Sequence, residues 1–243
     1  MTLPLNKTKI VCTIGPASDS PETLEQMVMA GMNVARLNFS HSSFDYHRKV
    51  IDALRQVAQK TGKRLAVMAD LPGPKMRIGD LAEDSVDLIP GAFFTLTSEP
   101  VVGDARRVSM TFEPLPRVVR RGDTLYLNDG LIQLEVVEVM GSEVHCRVIV
   151  GGELRARKGL NLPGINLGIH AFTARDQECL KFAIENGVDA VSQSFVEKAD
   201  DIEEVREAAA KLGRVPFIIA KIERARALDR LDEIIVSADG IMV

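Results

Sequence analysis

The sequence predicts an α/β protein: a parallel sheet covered by helices, laid down in two stretches around an all-β insert. Three observations predict it. Up to about residue 70, short apolar runs alternate with segments of helical period. The same alternation returns after residue 166. Between the two, the helical period disappears and short β-rich runs follow one another. Hydrophobic residues make up 46% of the 243, enough to bury a core and to exclude disorder as the main state.

The elements follow in order. Lys9–Ile14 reads as a buried strand. Ser20-Pro21 offers an N-cap with proline at the first helical position, Leu24, Met27 and Val28 share one face, and Gly31 ends that helix. Asn33–Asn38 is the next strand. His47, Val50, Ile51, Leu54, Val57 and Ala58 recur at three and four, which predicts a helix to about Lys60, closed by Gly62. Leu65–Ala69 is apolar on both faces, as in a parallel sheet covered by helices.

Leu71-Pro72-Gly73-Pro74 breaks the pattern. Ala92–Thr97 and Leu131–Val137 then read as strands, and Glu143–Val150 follows across a Gly141-Ser142 turn as a hairpin. After Leu162-Pro163-Gly164, Thr173 caps a helix with Leu180, Ala183 and Ile184 inward, closed by Gly187. Strand Val188–Ser192, helix Asp200–Leu212, strand Phe217–Lys221, helix Arg224–Ile235 and a strand from Asp239 complete the sequence. The expected divisions are 1–70, 71–166 and 167–243. Six βα-type strands suit either a doubly wound sheet or part of an eight-stranded barrel.

Charge and composition exclude several functions. Lys+Arg is 30 against Asp+Glu 34, a net charge of −4, and no basic block occurs, so no nucleic-acid partner is expected. Cys12, Cys146 and Cys179 are scattered and odd in number, as in a reduced compartment, and His41, His47, His145 and His170 have no zinc-site spacing. No apolar run nears the roughly 20 residues of a membrane span, and no signal-peptide pattern is visible. A cytoplasmic protein without a membrane partner is expected.

In parallel βα folds, polar residues at the carboxyl ends of strands face the ligand. Here those ends carry Arg36, Asn38, Ser40 and His41, then Asp70, then Ser192-Gln193-Ser194, then Lys221 and Glu223. Two cations, two carboxylates and neutral oxygens at one mouth suit an anionic substrate with a hard metal ion. Ordinary roles also exist: Arg36 would pair with a carboxylate, Asp70 would serve a turn, Ser194 would cap a helix, and Glu223 would pair with Lys221. Lys221 is the hardest to explain so, because it ends the apolar run Phe217–Ala220. The dinucleotide glycine fingerprint and the P-loop motif are both absent from the sequence.

Several segments read together resemble the pyruvate kinase family. They are Thr8–Ser18, Gly31–His41, Asp70 with Gly73-Pro74-Lys75-Met76-Arg77, Asn128–Ile132, Lys158–Gly164, Ser194-Phe195-Val196 and Ile218–Glu223, in family order over nearly the whole chain. The resemblance implies a partial (β/α)8 TIM barrel with an inserted all-β, barrel-like lid domain. It implies phosphoryl transfer from phosphoenolpyruvate to ADP, giving pyruvate and ATP. By motif, Lys221 would stabilise charge on the moving group, Glu223 would bind Mg2+ or Mn2+, and Arg36 and Ser194 would bind phosphoenolpyruvate. Arg77, Lys158, His41 and Asn38 would meet the nucleotide, and Asp129 would help hold the lid closed.

The family's monovalent cation site would correspond to Asn38, Ser40, Asp70 and Leu71. Many potassium-dependent members carry threonine where Leu71 stands and glutamate where Lys75 stands. Lysine at 75 resembles the potassium-independent branch, so activity without K+ is expected. The family continues past Val243 into an Ala-Arg-Gly-Asp segment that carries a second metal ligand, and it tends to homo-tetramers. The 243 residues are therefore expected to hold part of an active site. Two readings stay open: the barrel-and-lid part of an active kinase, or a truncated relative that binds nucleotide or phosphoenolpyruvate without turnover. A lyase on a related barrel is weaker, because the insert and Lys158 argue against it.

Overall fold

A computed structural model describes residues 7–165 and 168–243. In chain order the first elements are β1 (Ile10–Thr13), α1 (Pro21–Ala30), β2 (Met32–Asn38), α2 (Phe44–Thr61) and β3 (Ala66–Leu71). Next come β4 (Ser85–Leu88), β5 (Phe93–Thr97), β6 (Arg107–Ser109), the short α3 (Leu115–Val118), β7 (Thr124–Leu127), β8 (Ile132–Met140), β9 (Glu143–Val150), β10 (Gly152–Arg155) and β11 (Leu160–Asn161). Then follow α4 (Ala174–Glu185), β12 (Ala190–Gln193), α5 (Ala199–Lys211), β13 (Phe217–Lys221), α6 (Leu231–Ser237) and β14 (Gly240–Met242). Two compact units result: the residues up to Pro74 with His170–Val243, and Lys75–Ile169. The boundary expected between 166 and 167 lies outside the described residues.

The first unit is a partial (β/α)8 barrel. Its sheet has the order β1-β2-β3-β12-β13-β14, and every neighbouring pair is parallel. Because side chains alternate along a strand, each strand divides its residues between two faces. Ala35, Leu37, Val67, Ala69, Leu71, Val191, Ile218 and Ala220 join the core shared with the helices. Their alternates Arg36, Asp70, Ser192 and Lys221 therefore fall on the opposite face. The apolar positions thus fix which polar residues are gathered on the inner side.

Local signals set the helices. Ser20 Oγ accepts the Thr23 N–H at 3.2 Å, and Gly31 takes φ 116 to end α1. Helix α2 starts earlier than the apolar period alone predicts, because Ser43 caps it by accepting the Tyr46 N–H. Thr173 and Asp176 form a reciprocal capping box on α4.

Two expectations are corrected. The first strand forms, but Ile10 and Val11 are each 50% exposed, since among the described residues β1 pairs only with β2 and lies at the edge of the sheet. The helix expected over Arg224–Ile235 is instead a 3-10 helix at Ala225–Arg230 followed by α6. Arg224 makes no side-chain cap there, and a helix entered without a cap commonly starts in the tighter 3-10 form.

The second unit is the all-β insert. Strands β11-β7-β8-β9-β5-β6 form one sheet, and β4 pairs with β10. Strands β8 and β9 form the predicted hairpin, with Met140 opposite Glu143 and Gly141 at φ 59. This unit has a separate core, which includes Phe94, Leu125, Leu134 and Val148.

Candidate active site

Parallel register brings the strand ends of the first unit together. Asn38 lies opposite Asp70, and Asp70 lies opposite Ser192. Asp70 is 2% exposed and is the centre of the cluster. Its Oδ2 accepts Arg36 Nε–H at 2.9 Å and also a very short bond from Arg36 Nη2. Its Oδ1 accepts the Ser192 hydroxyl at 2.9 Å and lies 3.3 Å from Lys221 Nζ. Arg36 also donates to Thr13 Oγ1 at 2.8 Å. Asp70 thus lies within strand β3, next to its last residue, rather than serving a turn, and the carboxylate partner foreseen for Arg36 is Asp70.

Lys221 sits beside it. Its Nζ lies 2.8 Å from Glu223 Oε1 and donates to Ser194 Oγ at 2.9 Å. Ser194 Oγ in turn donates to the Leu71 carbonyl at 2.8 Å. Ser194 does not cap α5, whose N-cap residue is Lys198. The other oxygen of Glu223 accepts the Phe195 N–H at 3.1 Å. Lys221 keeps 13% side-chain exposure and Glu223 34%, so both reach the surface while staying oriented. Arg36 and Lys221 against Asp70 and Glu223 make the cluster formally neutral.

The remaining strand-end residues are arranged by the loop after β2. Asn38 Oδ1 accepts the Ser40 N–H at 3.0 Å, and the Asn38 carbonyl accepts the His41 N–H at 3.1 Å. His41 is exposed, and its carbonyl accepts a bond from His47 Nε2 at 2.8 Å.

The insert carries its own group of candidates. Arg77 pairs with Gly159 in an antiparallel bridge, and the Ile78 N–H donates to the Lys158 carbonyl at 2.9 Å. Arg77 Nη1 donates to the Arg157 carbonyl at 2.8 Å. Asn128 and Asp129 have φ 52 and 56, the left-handed pair of a tight hairpin turn between β7 and β8. The Asn128 N–H donates to the Gly159 carbonyl at 3.2 Å, so this turn adjoins the Lys158 segment. Lys75 opens the unit, and its carbonyl accepts the Thr111 hydroxyl at 3.3 Å.

Among the described residues, no three His, Cys, Asp or Glu side chains converge to cage a metal. Glu223 alone fits a hard divalent ion of the kind held by one or two carboxylates together with substrate oxygens. Ser192 was read at its strand end among the neutral oxygens, without its bond to Asp70; sequence reasoning missed Thr13 and the Phe195 N–H as members of the cluster. A serine or threonine in a β-branched strand carries no signal of its own, and a backbone N–H carries none at all.

The fold and cluster define a class: a parallel β/α barrel protein with paired cations and carboxylates at the ligand-bearing end of its strands. Comparison with known proteins narrows it. The sequence model of the pyruvate kinase barrel domain matches residues 5–243. The pyruvate kinase of Thermococcus litoralis is 48% identical over 243 residues, covering all of this chain and 51% of that protein. That of Thermotoga maritima is 41% identical over 239 residues, covering 98% of this chain and 51% of its own length. That of Staphylococcus saprophyticus is 40% identical over 242 residues, covering 98% and 41%. The chain belongs to the pyruvate kinase family. It spans about half, or somewhat less, of the length of these relatives.

Proposed function

We propose that this chain supplies the barrel and insert of an enzyme that transfers a phosphoryl group from phosphoenolpyruvate to ADP. One observation carries the reading: Lys221, at the carboxyl end of β13, is held between Asp70 and Glu223 and still keeps 13% side-chain exposure. A lysine so placed presents a fixed positive charge where a phosphoryl group would move. The P–O bond to the enol oxygen breaks as a new one forms to an oxygen of the ADP β-phosphate. The electron pair of the broken bond stays on that oxygen, and the released enolate takes a proton at carbon and becomes pyruvate.

Arg36 and Lys221 provide two cationic donors for the phosphoenolpyruvate phosphate, with Ser194 beside Lys221. Their carboxylate partners already balance them, so a dianionic phosphate needs further positive charge. A divalent Mg2+ or Mn2+ held by Glu223 would supply it as a Lewis acid. The adjacency of Arg77 and Lys158 supports a shared role at the nucleotide phosphates. His41 and Asn38 are proposed for the nucleotide as well, and Asp129 for the closed state of the insert.

Potassium is proposed to be dispensable. Both oxygens of Asp70 already accept from Arg36, Ser192 and Lys221. The Leu71 carbonyl already accepts from Ser194. Of the four-residue monovalent site, Asn38 and Ser40 are bonded to each other through the Asn38 side chain. By the resemblance, lysine at position 75 stands where potassium-dependent members carry a carboxylate.

A cytoplasmic, homo-oligomeric enzyme is the setting proposed for this activity. No helix among the described residues is long and apolar enough to cross a membrane. The test is pyruvate formation by the full-length protein from phosphoenolpyruvate, ADP and Mg2+. Turnover dependent on all three supports the reading. Binding of phosphoenolpyruvate or nucleotide without turnover would favour a non-catalytic relative.

A further inference from the structure

The loops after β12 and β13 share a set of contacts that the proposed reaction leaves unused. Phe195 has φ 60, a left-handed conformation that is uncommon for a bulky residue and marks a constrained site. In this conformation its N–H reaches Glu223 Oε2 at 3.1 Å. The Arg224 guanidinium covers the Phe195 ring at 5.1 Å from its centroid. Arg224 Nη1 also donates to Glu197 Oε1 at 2.7 Å, with side-chain exposures of 14% and 24%. On the far loop, a Cβ at Gly73 would come within 2.9 Å of Phe195 Cδ2, so only glycine fits beside the ring there.

Arg224 is held there at a cost. Its Nη2 is buried without a hydrogen-bond partner among the described residues, and an unsatisfied buried donor is destabilising. For a largely buried ion pair serving stability alone, the desolvation cost offsets much of the attraction.

We propose that Glu197, Arg224 and Phe195 are positioning residues for Glu223. The ion pair fixes Arg224 over the ring, the ring holds its peptide in the left-handed conformation, and the peptide N–H fixes one carboxylate oxygen. Lys221 fixes the other oxygen. The carboxylate is thereby oriented for a divalent cation before substrate arrives. This inference rests on the reading of Glu223 as the ligand of that cation.

The test is Mn2+ binding to the full-length protein, read as loss of the free-ion signal in electron paramagnetic resonance, without and with phosphoenolpyruvate. Glu223→Gln serves as the control, beside Arg224→Met, Glu197→Gln and Arg224→Lys. The expected result is a rise in the Mn2+ Kd of about 10-fold or more for Arg224→Met and Glu197→Gln. Arg224→Lys, which keeps the charge over the ring, is expected to recover most of the affinity. Unchanged Mn2+ affinity in Glu223→Gln would overturn the reading of Glu223 itself, and the inference with it. Weakened binding in Glu223→Gln with unchanged binding in Glu197→Gln and Arg224→Met would overturn the clamp alone. Should Arg224→Met fail to fold, Glu197→Gln and Arg224→Lys decide the matter.

Discussion

Asp70 shows how much a single buried carboxylate organises. It is 2% exposed and orients Arg36 and Lys221 together. Removing one partner of a buried charged group leaves the others uncompensated, a loss of about 3–5 kcal/mol. The saturation of Asp70 also bears on cations. If the proposed activity holds, pyruvate formation by the full-length protein is expected to persist when K+ is replaced by a tetraalkylammonium salt at constant ionic strength; a strict K+ requirement in that titration would contradict the proposal that K+ is dispensable. His47 behaves differently. Burial pushes its imidazole below the ordinary 6.5. The His41 carbonyl can only accept, so Nε2 carries the proton, while Nδ1 is buried without a partner among the described residues. The folded state therefore binds a second proton less readily than the unfolded chain does. Its contribution is complete above 6.5 and is lost as pH falls toward the lowered folded value. Urea midpoints are expected to drop between pH 7.5 and 5.5, and His47→Phe is expected to flatten that drop; an unchanged drop in the variant would place the titration elsewhere. Of these residues, Lys221 was legible in the sequence, because a lysine closing Phe217–Ala220 conflicts with its surroundings. Thr13, which accepts from Arg36, was not, because a threonine in a strand conflicts with nothing.

Secondary elements repeat the contrast. The turns and caps were readable where side-chain chemistry fixes the backbone: Ser20-Pro21, Gly31, Gly62 and Thr173 all stand where they were expected to act. The misreadings have tertiary causes. Apolar Ile10 and Val11 suggest a buried strand, but among the described residues β1 has a neighbour on one side only, and position in a sheet is not encoded in a strand's own residues. The 3-10 helix at Ala225–Arg230 preserves a roughly helical spacing of apolar residues, so periodicity did not separate it from α6. Helix α4 gives the sharpest prediction at this scale. Asp176 accepts the Thr173 N–H at 2.8 Å and the Gly73 N–H at 2.9 Å, linking the helix start to the turn after β3. Asp176→Ala removes the reciprocal half of the capping box and leaves the Gly73 donor buried, so a loss of about 2–3 kcal/mol is expected in urea denaturation. A loss below about 0.5 kcal/mol would mean that the link carries no stability.

At the scale of the whole molecule, two hydrophobic cores form from one chain, and each holds a thiol. Burial pushes Cys146 in the insert up to about 12 and Cys179 in the barrel unit up to about 11. Neither forms the reactive thiolate near neutral pH. Labelling with a thiol reagent at pH 7.5 is expected to modify the partly exposed Cys12 first, and the other two only as their own units open. Equal labelling of all three would show that the cores are not closed in solution. The division into βα and all-β stretches was plain in the sequence, since the helical period vanishes and returns. The choice between a doubly wound sheet and a partial barrel was not, because it depends on which strands become neighbours. The order β1-β2-β3-β12-β13-β14, running one way across the sheet, decides it for the barrel.

Phosphoryl transfer is the activity proposed for the Asp70–Lys221–Glu223 cluster. The most direct measurement is single-turnover pyruvate formation by the full-length protein and its Lys221→Met variant, with phosphoenolpyruvate binding measured in parallel. Loss of one fixed charge at the transition state is expected to slow the chemical step by about 10²–10³-fold or more, with binding reduced far less. An undiminished rate in the variant, or no ADP-dependent pyruvate from the wild type, would contradict the account.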